Sequence, residues 1–158
     1  MSNSTRVLSD QNISETVEKY RAQNKKIVFT NGCFDLLHIG HVRYLEQAKS
    51  LGDLLIVGIN TDASVKKLKG PTRPIQNEND RADILAALKS VDHTILFDDE
   101  TPLELIKKVK PDFLVKGGDW KPEQIVGSDF VMSYGGQVRS LKFIDGRSTT
   151  SMIEKSKT

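Results

Sequence analysis

Short apolar runs recur along the chain, and longer amphipathic stretches separate them. Five runs are rich in Val, Ile, Leu and Phe and are bounded by turn residues, a pattern typical of buried strands. They are residues 27–30, 54–59, 93–97, 113–115 and 138–143. Helical spacing and capping residues predict helices at 14–24, 41–50, 62–69, 78–90, 102–109 and from 148 onward. The alternation predicts an α/β fold, a five-stranded parallel sheet with helices on both faces.

The length of 158 residues suits a single domain. Residues 1–23 carry no recognisable motif and are predicted to form an N-terminal extension whose helix is capped by Ser14, ahead of a domain at 24–158. The net charge of +2 gives no excess of basic residues for nucleic acid, and no apolar stretch approaches the ~18 to 20 residues of a membrane span. The start lacks a secretory apolar core, and the single Cys33 fits a reducing compartment. We therefore expect a cytoplasmic protein without nucleic-acid or membrane partners.

The candidate chemistry concentrates where the first predicted strand meets the next helix, at T-N-G-C-F-D-L-L-H-I-G-H, residues 30–41. The first turn of a helix has unpaired N–H groups and a partial positive charge, so it attracts phosphate. His38 and His41 can donate hydrogen bonds there, and Gly40 lets a ligand approach the backbone. Hydroxyl residues 148–150 open the last predicted helix in the same way. Because ligands bind beyond the carboxyl ends of parallel strands, these features predict a nucleotide site.

The string G-C-F-D-L-L-H-I-G-H at residues 32–41 is similar to the G-x-F-D-x-x-H-x-G-H signature of the nucleotidyltransferase superfamily. Segments 60–62, 68–71, 73–74, 114–120 and 148–150 resemble one branch, the bacterial adenylyltransferases of D-glycero-β-D-manno-heptose 1-phosphate. The resemblance extends over residues 24–155 and implies a Rossmann-like fold. It also implies adenylyl transfer from ATP to the heptose 1-phosphate, giving ADP-heptose for lipopolysaccharide core synthesis and pyrophosphate. Mg²⁺ bridging the phosphates and a homodimer are further implications.

The resemblance and the positions of the residues together indicate three sets of functional residues. The catalytic set is His38, His41, Lys69 and Ser148. The ATP-binding set is Thr30, Asn31, Gly32, Phe34, Gly40, His41, Arg81, Lys116, Gly117, Asp119, Ser148, Thr149 and Thr150. The set for the sugar phosphate is Asp35, Asn60, Lys69, Arg73 and Lys116. No protein ligands for a resident metal are predicted, because the two histidines have no third His or Cys at metal spacing.

Several of these residues have structural alternatives. Asp35 can hold its loop by hydrogen bonds instead of reaching Mg²⁺ or the sugar phosphate, and Arg81 can serve in a structural ion pair. Thr149 and Thr150 can be plain helix caps. Cys33 is interpreted as a spectator, because no partner base is identifiable and the transfer does not use a thiolate.

Two other functions stay open. One is a CTP-dependent cytidylyltransferase acting on glycerol 3-phosphate or a phosphorylated amino alcohol. Such enzymes carry R-T-E-G-I-S-T-T, whereas this chain has F-I-D-G-R-S-T-T at residues 143–150, so its base-reading loop departs from that pattern. The other is a non-catalytic nucleotide-binding module, against which the intact H-x-G-H argues.

Overall fold

In the computed structural model, which describes residues 4–143 and 146–157, six parallel strands form one sheet. The strands are β1 (Val7–Leu8), β2 (Ile27–Gly32), β3 (Leu54–Asn60), β4 (His93–Phe97), β5 (Phe113–Gly117) and β6 (Gln137–Leu141). Their order across the sheet is β1-β4-β3-β2-β5-β6. The chain first moves outward from β2 through β3 to β4 and then returns to the other side of β2 with β5. The sheet therefore has its switch point between β2 and β5, where ligands of such folds bind.

Helices connect the strands across both faces of the sheet. They are α1 (Ile13–Ala22), α2 (Ile39–Lys49), α3 (Asp62–Lys69), α4 (Glu78–Ala86), α5 (Leu103–Val109), α6 (Ser128–Ser133) and α7 (Thr149–Ser156), with a 3₁₀ turn at Pro122–Gln124. None of the helices in the described ranges has the length and apolar character to cross a membrane.

Alternate residues of β2 enter two different cores, as the two-residue period of a strand requires. Ile27 and Phe29 pack with apolar residues of α1, α5 and α6 on one face. Val28 packs on the other face with apolar residues of α2 and α4. Because β2 and β3 are buried on both faces, their near-continuous apolar sequence is the one expected of central parallel strands. The helices on both faces were predicted correctly.

The predicted number of five strands was wrong, because β1 adds a sixth. Val7 and Leu8 pair with Thr94 and Ile95 of β4, and two residues are too few to give a readable pattern. Leu8, like Ile13 and Val17 of α1, is buried in the core on one face of the sheet. Residues 7–22 of the predicted N-terminal extension thus share their core with the rest of the chain.

Two local predictions also need correction. Ser14 was expected to cap α1, but the helix already begins at Ile13 and Asn12 holds the N-cap position. The helix α6 was not predicted, because its six residues span less than two turns and show no full helical period.

Candidate active site

A cavity of about 610 Å³ opens at the switch point, beyond the carboxyl ends of β2, β3 and β5. Most of the predicted site residues line it. They are Asn31, Gly32, Phe34, Asp35, His38, His41, Asn60, Lys69, Arg73, Lys116, Gly117, Ser148, Thr149 and Thr150. Thr30, Gly40, Arg81 and Asp119 do not line it. The fold therefore brings together residues that are more than 100 positions apart in sequence.

Both histidines of the H-x-G-H segment use Nδ1 to hold the first turn of α2. Nδ1 of His38, the N-cap residue, accepts from the backbone N–H of Gly40 at 3.1 Å. Nδ1 of His41 accepts from the backbone N–H of His38 at 3.4 Å. A neutral imidazole carries one proton, so in both rings it must sit on Nε2. Each histidine is thereby fixed as an N–H donor for a ligand in the cavity.

The two imidazole rings stack with their centroids 3.8 Å apart, and their surroundings disfavour the charged form. Burial, and then the neighbouring His38, lower the pKa of His41 to about 4. Burial and the charge of Arg147 lower the pKa of His38. At neutral pH the pair therefore offers hydrogen-bond donors without a positive charge.

Gly40 is required by this geometry although it does not line the cavity. A Cβ at Gly40 would lie 2.8 Å from the imidazole of His38, closer than side-chain carbons approach one another. It would also lie 3.5 Å from Cβ of Arg147, the residue before the cap of α7. The second distance is an ordinary van der Waals contact, so the glycine makes room for the capping imidazole of His38, and α7 begins next to the first turn of α2.

The first turn of α7 is tied to the loop that follows β2. The hydroxyl of Thr149 donates to the carbonyl of Leu36 at 2.9 Å. The hydroxyl of Ser148, predicted to be catalytic, accepts from the N–H of Ser151 at 3.0 Å and is the N-cap of the helix. Ser148 and Thr149 therefore have structural duties as well as a place on the cavity wall, while the N–H groups of Thr149 and Thr150 occupy the first turn of the helix.

Elsewhere on the cavity wall, the carboxylate of Asp35 is buried and already has three donors. Nε of Arg73 donates at 2.7 Å, and the backbone N–H groups of Ile75 and Gln76 donate at 2.9 and 3.0 Å. Burial alone would raise the pKa of Asp35, but the hydrogen bonds from Gln76, Ile75 and Arg73 outweigh it and lower the pKa. The geometry fits the structural alternative, in which Asp35 holds the loop 70–77.

Arg81 is placed beneath the cavity and not on its wall, which differs from its predicted contact with the nucleotide. Its guanidinium is fully buried and donates to the carbonyls of Cys33, Asn60 and Gln76 and to the carboxylate of Asp62, at 2.7 to 3.0 Å. Those donations hold the arginine within the protein and join three segments of chain, at residues 33, 60–62 and 76–81. The structural alternative for Arg81 therefore fits its contacts.

Thr30 and Asp119 also lie off the cavity wall. Thr30 is buried and shares a hydrogen bond of 2.6 Å with the hydroxyl of Tyr44, so it supports the wall from behind. Asp119 is exposed beyond the end of β5. Lys116, at the end of β5, does line the cavity, and its Nζ lies 4.6 Å from the ring centroid of Trp120.

Lys69 and Asn60 line the wall near Cys33. Burial raises the pKa of the Cys33 thiol, although the charges of Lys69 and Arg81 oppose that effect. Asn60 accepts from Sγ of Cys33 at 3.8 Å and donates to Ser64 at 2.9 Å. A thiol with a raised pKa is a poor nucleophile, which fits the interpretation of Cys33 as a spectator.

Besides Cys33, interpreted as a spectator, four cavity residues were not predicted, namely Tyr44, Leu68, Phe143 and Arg147. The Phe143 ring lies so close to Gly117 that a Cβ there would be 2.1 Å from it, which explains the glycine at the end of β5. Proximity to the S-T-T run could have indicated Phe143 and Arg147, and the branch-like segment 68–71 could have indicated Leu68, whereas nothing in the sequence sets Tyr44 apart from core residues. Residues 144 and 145 of the predicted base-reading loop lie outside the described residues.

A family described as cytidylyltransferase-like matches residues 29–146. A solved structure, the lipopolysaccharide core biosynthesis protein from Thermoplasma volcanium, is similar with a TM-score of 0.62 and 30% identity, covering 76% of this chain and 97% of that one.

Curated relatives are more similar in sequence but much longer. The bifunctional protein HldE of Syntrophotalea carbinolica is 55% identical over 92% of this chain, which covers 30% of that protein. The bifunctional protein HldE of Geobacter metallireducens is 59% identical over 88% of this chain, which covers 28% of that protein. The chain thus spans less than a third of the length of these curated relatives.

Proposed function

Because this chain belongs to the cytidylyltransferase-like family, we propose that it is a nucleotidyltransferase that moves the adenylyl group of ATP to D-glycero-β-D-manno-heptose 1-phosphate. The products are ADP-heptose and pyrophosphate, and the proposed context is lipopolysaccharide core synthesis. The similar Thermoplasma structure is named for that process, and the resemblance of segments 60–74 and 114–120 supports the heptose branch. The curated relatives are bifunctional and far longer, so the proposal concerns one part of what they carry.

The observation that carries the proposal is the meeting of two helix openings, α2 and α7, at one cavity edged by fixed N–H donors. In the proposed step, an anionic oxygen of the sugar phosphate attacks the α-phosphorus of ATP. A new P–O bond forms while the bond from the α-phosphorus to the bridging oxygen breaks, and its electron pair leaves with pyrophosphate. The nucleophile is already ionised, so alignment and stabilisation of charge are sufficient catalysis.

The histidines and the cationic side chains of the cavity have different proposed roles. Nε2–H of His38 and His41 donate to phosphate oxygens of ATP, which helps most where negative charge grows in the transition state. Lys69, Arg73 and Lys116 are proposed to attract the sugar phosphate. Arg73 reaches Asp35 through Nε, which leaves its two terminal nitrogens as candidates for the substrate.

Mg²⁺ is proposed to enter with the nucleotide. The described residues contain no group of three His, Cys, Asp or Glu side chains suited to a metal, and Asp35 is occupied by its three donors. Mg²⁺ binds readily through phosphate oxygens and water, and when bound it neutralises charge on the triphosphate. The chain's own contribution is then to hold the phosphates of the metal-bearing nucleotide.

A pyrophosphate-release assay tests the function. ATP, CTP and GTP are each combined with the heptose 1-phosphate and with glycerol 3-phosphate, and His41→Asn provides the blank. The proposal is supported if pyrophosphate is released only in the combination of ATP with the heptose 1-phosphate. Release with CTP and glycerol 3-phosphate would assign the cytidylyltransferase alternative, and nucleotide binding without release in any combination would assign the non-catalytic module.

Cellular location and assembly are proposed together. The cytoplasm is the proposed location, in keeping with the single thiol Cys33. The homodimer implied by the family resemblance is tested by light scattering coupled to size exclusion, in which a mass of one chain, 17.7 kDa, would contradict it.

A further inference from the structure

Three cationic side chains of the cavity have different neighbours. Arg73 donates to Asp35 at 2.7 Å, and both Lys69 and Arg73 act electrostatically on Cys33. Arg147 acts on His38, at the end where α2 and α7 open. Cβ of Arg147 lies 3.5 Å from the position of a Cβ on Gly40, so the arginine stands directly against the first turn of α2.

The histidine end of the cavity needs a charge that its histidines do not supply. Burial and the charge of Arg147 lower the pKa of His38, and burial and the neighbouring His38 lower the pKa of His41, so the pair provides donors without a charge at neutral pH. A triphosphate carries several negative charges, and a guanidinium binds phosphate oxygens through two parallel N–H bonds. Arg147 lines this cavity, is exposed, and has no carboxylate within salt-bridge distance in the part of the chain that the structure describes. Arg73 and Arg81, by contrast, are already paired with Asp35 and Asp62.

From this arrangement we infer that Arg147 is a catalytic residue that binds the β- and γ-phosphates of the nucleotide beside His38, and then the leaving pyrophosphate. The inference deepens the proposed function, on which it rests for the identity of the reaction. As the α-phosphorus bond breaks, negative charge accumulates on the departing pyrophosphate. A positive charge next to the two neutral donors stabilises that group at the moment it forms.

The test compares Arg147→Ala and Arg147→Lys with Arg139→Ala, an exposed arginine on β6 that bonds Gln137 away from the cavity. Titration calorimetry measures the affinity for Mg-pyrophosphate and for a non-hydrolysable ATP analogue. Arg147→Ala should weaken both by about ten-fold or more, because a charge-assisted contact is lost. The affinities of Arg147→Lys should lie between those of wild type and Arg147→Ala, since lysine keeps the charge but lacks the paired N–H donors of a guanidinium. The affinities of Arg139→Ala should match the wild type.

Steady-state kinetics adds a second criterion. In Arg147→Ala the KM for ATP should rise about ten-fold while the KM for the sugar phosphate stays within about two-fold, because the residue touches only the nucleotide. Wild-type affinity for pyrophosphate in Arg147→Ala would overturn the inference. Weakened ATP binding with unchanged pyrophosphate binding would also overturn it, since Arg147 would then contact the base or ribose.

The binding measurements need no sugar phosphate, so they separate this inference from the proposed function. If the chain binds pyrophosphate through Arg147 but turns over no heptose 1-phosphate, the substrate assignment fails and the role of Arg147 stands. If it makes ADP-heptose with unaltered pyrophosphate affinity in Arg147→Ala, the reverse holds. Wild-type protein that binds neither ATP analogue nor pyrophosphate would contradict both.

Discussion

Where α2 and α7 open, His38 and His41 are neutral and present N–H donors, whereas Arg81, beneath the cavity, carries a full charge that other parts of the protein already hold. The difference is one of partners and not of residue type. Each histidine accepts from the backbone through Nδ1, which leaves Nε2–H free. Arg81 instead donates all its hydrogen bonds to backbone carbonyls and to the carboxylate of Asp62. A charged side chain near a cavity is therefore a ligand-binding candidate only if folding leaves its donors unused.

Removal of the buried arginine is the strongest way to test that contrast. Arg81→Met should lower the free energy of unfolding by about 3 to 5 kcal/mol, because the carbonyls of Cys33, Asn60 and Gln76 lose a buried donor and Asp62 loses its partner. Urea unfolding measures the change.

Arg43→Met is the matched control for that experiment. Arg43 is exposed and pairs with Glu46 on the surface of α2, so its loss should change the free energy of unfolding by less than about 1 kcal/mol. Arg81→Lys, if it folds, should keep a KM for ATP within about three-fold of wild type, since Arg81 does not line the cavity. A specific loss of ATP affinity in that variant would return Arg81 to the nucleotide site.

Removal of the free Nε2–H donor of His41 should affect the reaction rate instead of the stability. His41→Asn can still accept from the N–H of His38 through its amide oxygen, but it lacks Nε2–H in the cavity. We expect kcat to fall by about 100-fold or more, equivalent to about 2.7 kcal/mol in the activation barrier, with an unchanged circular dichroism spectrum.

His93→Asn is the control, because His93 bonds the hydroxyl of Tyr20 and does not line the cavity. Its kcat should stay within about two-fold of wild type, whatever its stability. Comparable turnover in the His41 and His93 variants would remove His41 from the mechanism.

The neutrality of His41 sharpens the contrast through pH. Its pKa is about 4 in the folded protein and 6.5 in the unfolded chain, so only the unfolded chain takes up a proton between those values. Above pH 6.5 this residue has no effect, and as the pH falls toward 4 the folded state loses stability. Between pH 7 and pH 5 the loss should be about 2 kcal/mol greater in wild type than in His41→Asn, as measured by urea unfolding. Equal losses in the two proteins would show that His41 is not held neutral.

Much of the fold was predictable because the buried strands of a parallel sheet leave clear apolar runs in the sequence. The apolar runs at residues 54–59 and 93–97 and the turns between them reflect strands buried on both faces, and both strands are present at those places. β1 was not predictable, because two residues carry no period and their place at the sheet edge depends on pairing with β4. The cavity followed from a general rule, since ligands bind where the strand order reverses.

The division of labour within the site was less predictable. His38, His41 and the S-T-T run were predicted as site residues because they occupy helix openings, where local sequence fixes both the capping residue and the orphan N–H groups. Asp35 and Arg81 were placed among the binding residues by type and position. Their partners, Arg73 and the carbonyls of Cys33, Asn60 and Gln76, lie from 5 to 48 residues away in sequence.

The sequence by itself determined most of the strand and helix pattern, the family resemblance and the unpaired N–H groups at two helix openings, because each depends on neighbours within a few residues. Only the tertiary structure decided that Arg81 is buried, that both imidazoles are neutral N–H donors, and that Arg147 lies against the first turn of α2. Those properties depend on burial and on partners distant in the chain. The free energy of a charged side chain depends on its burial and on the polar groups around it far more than on its residue type.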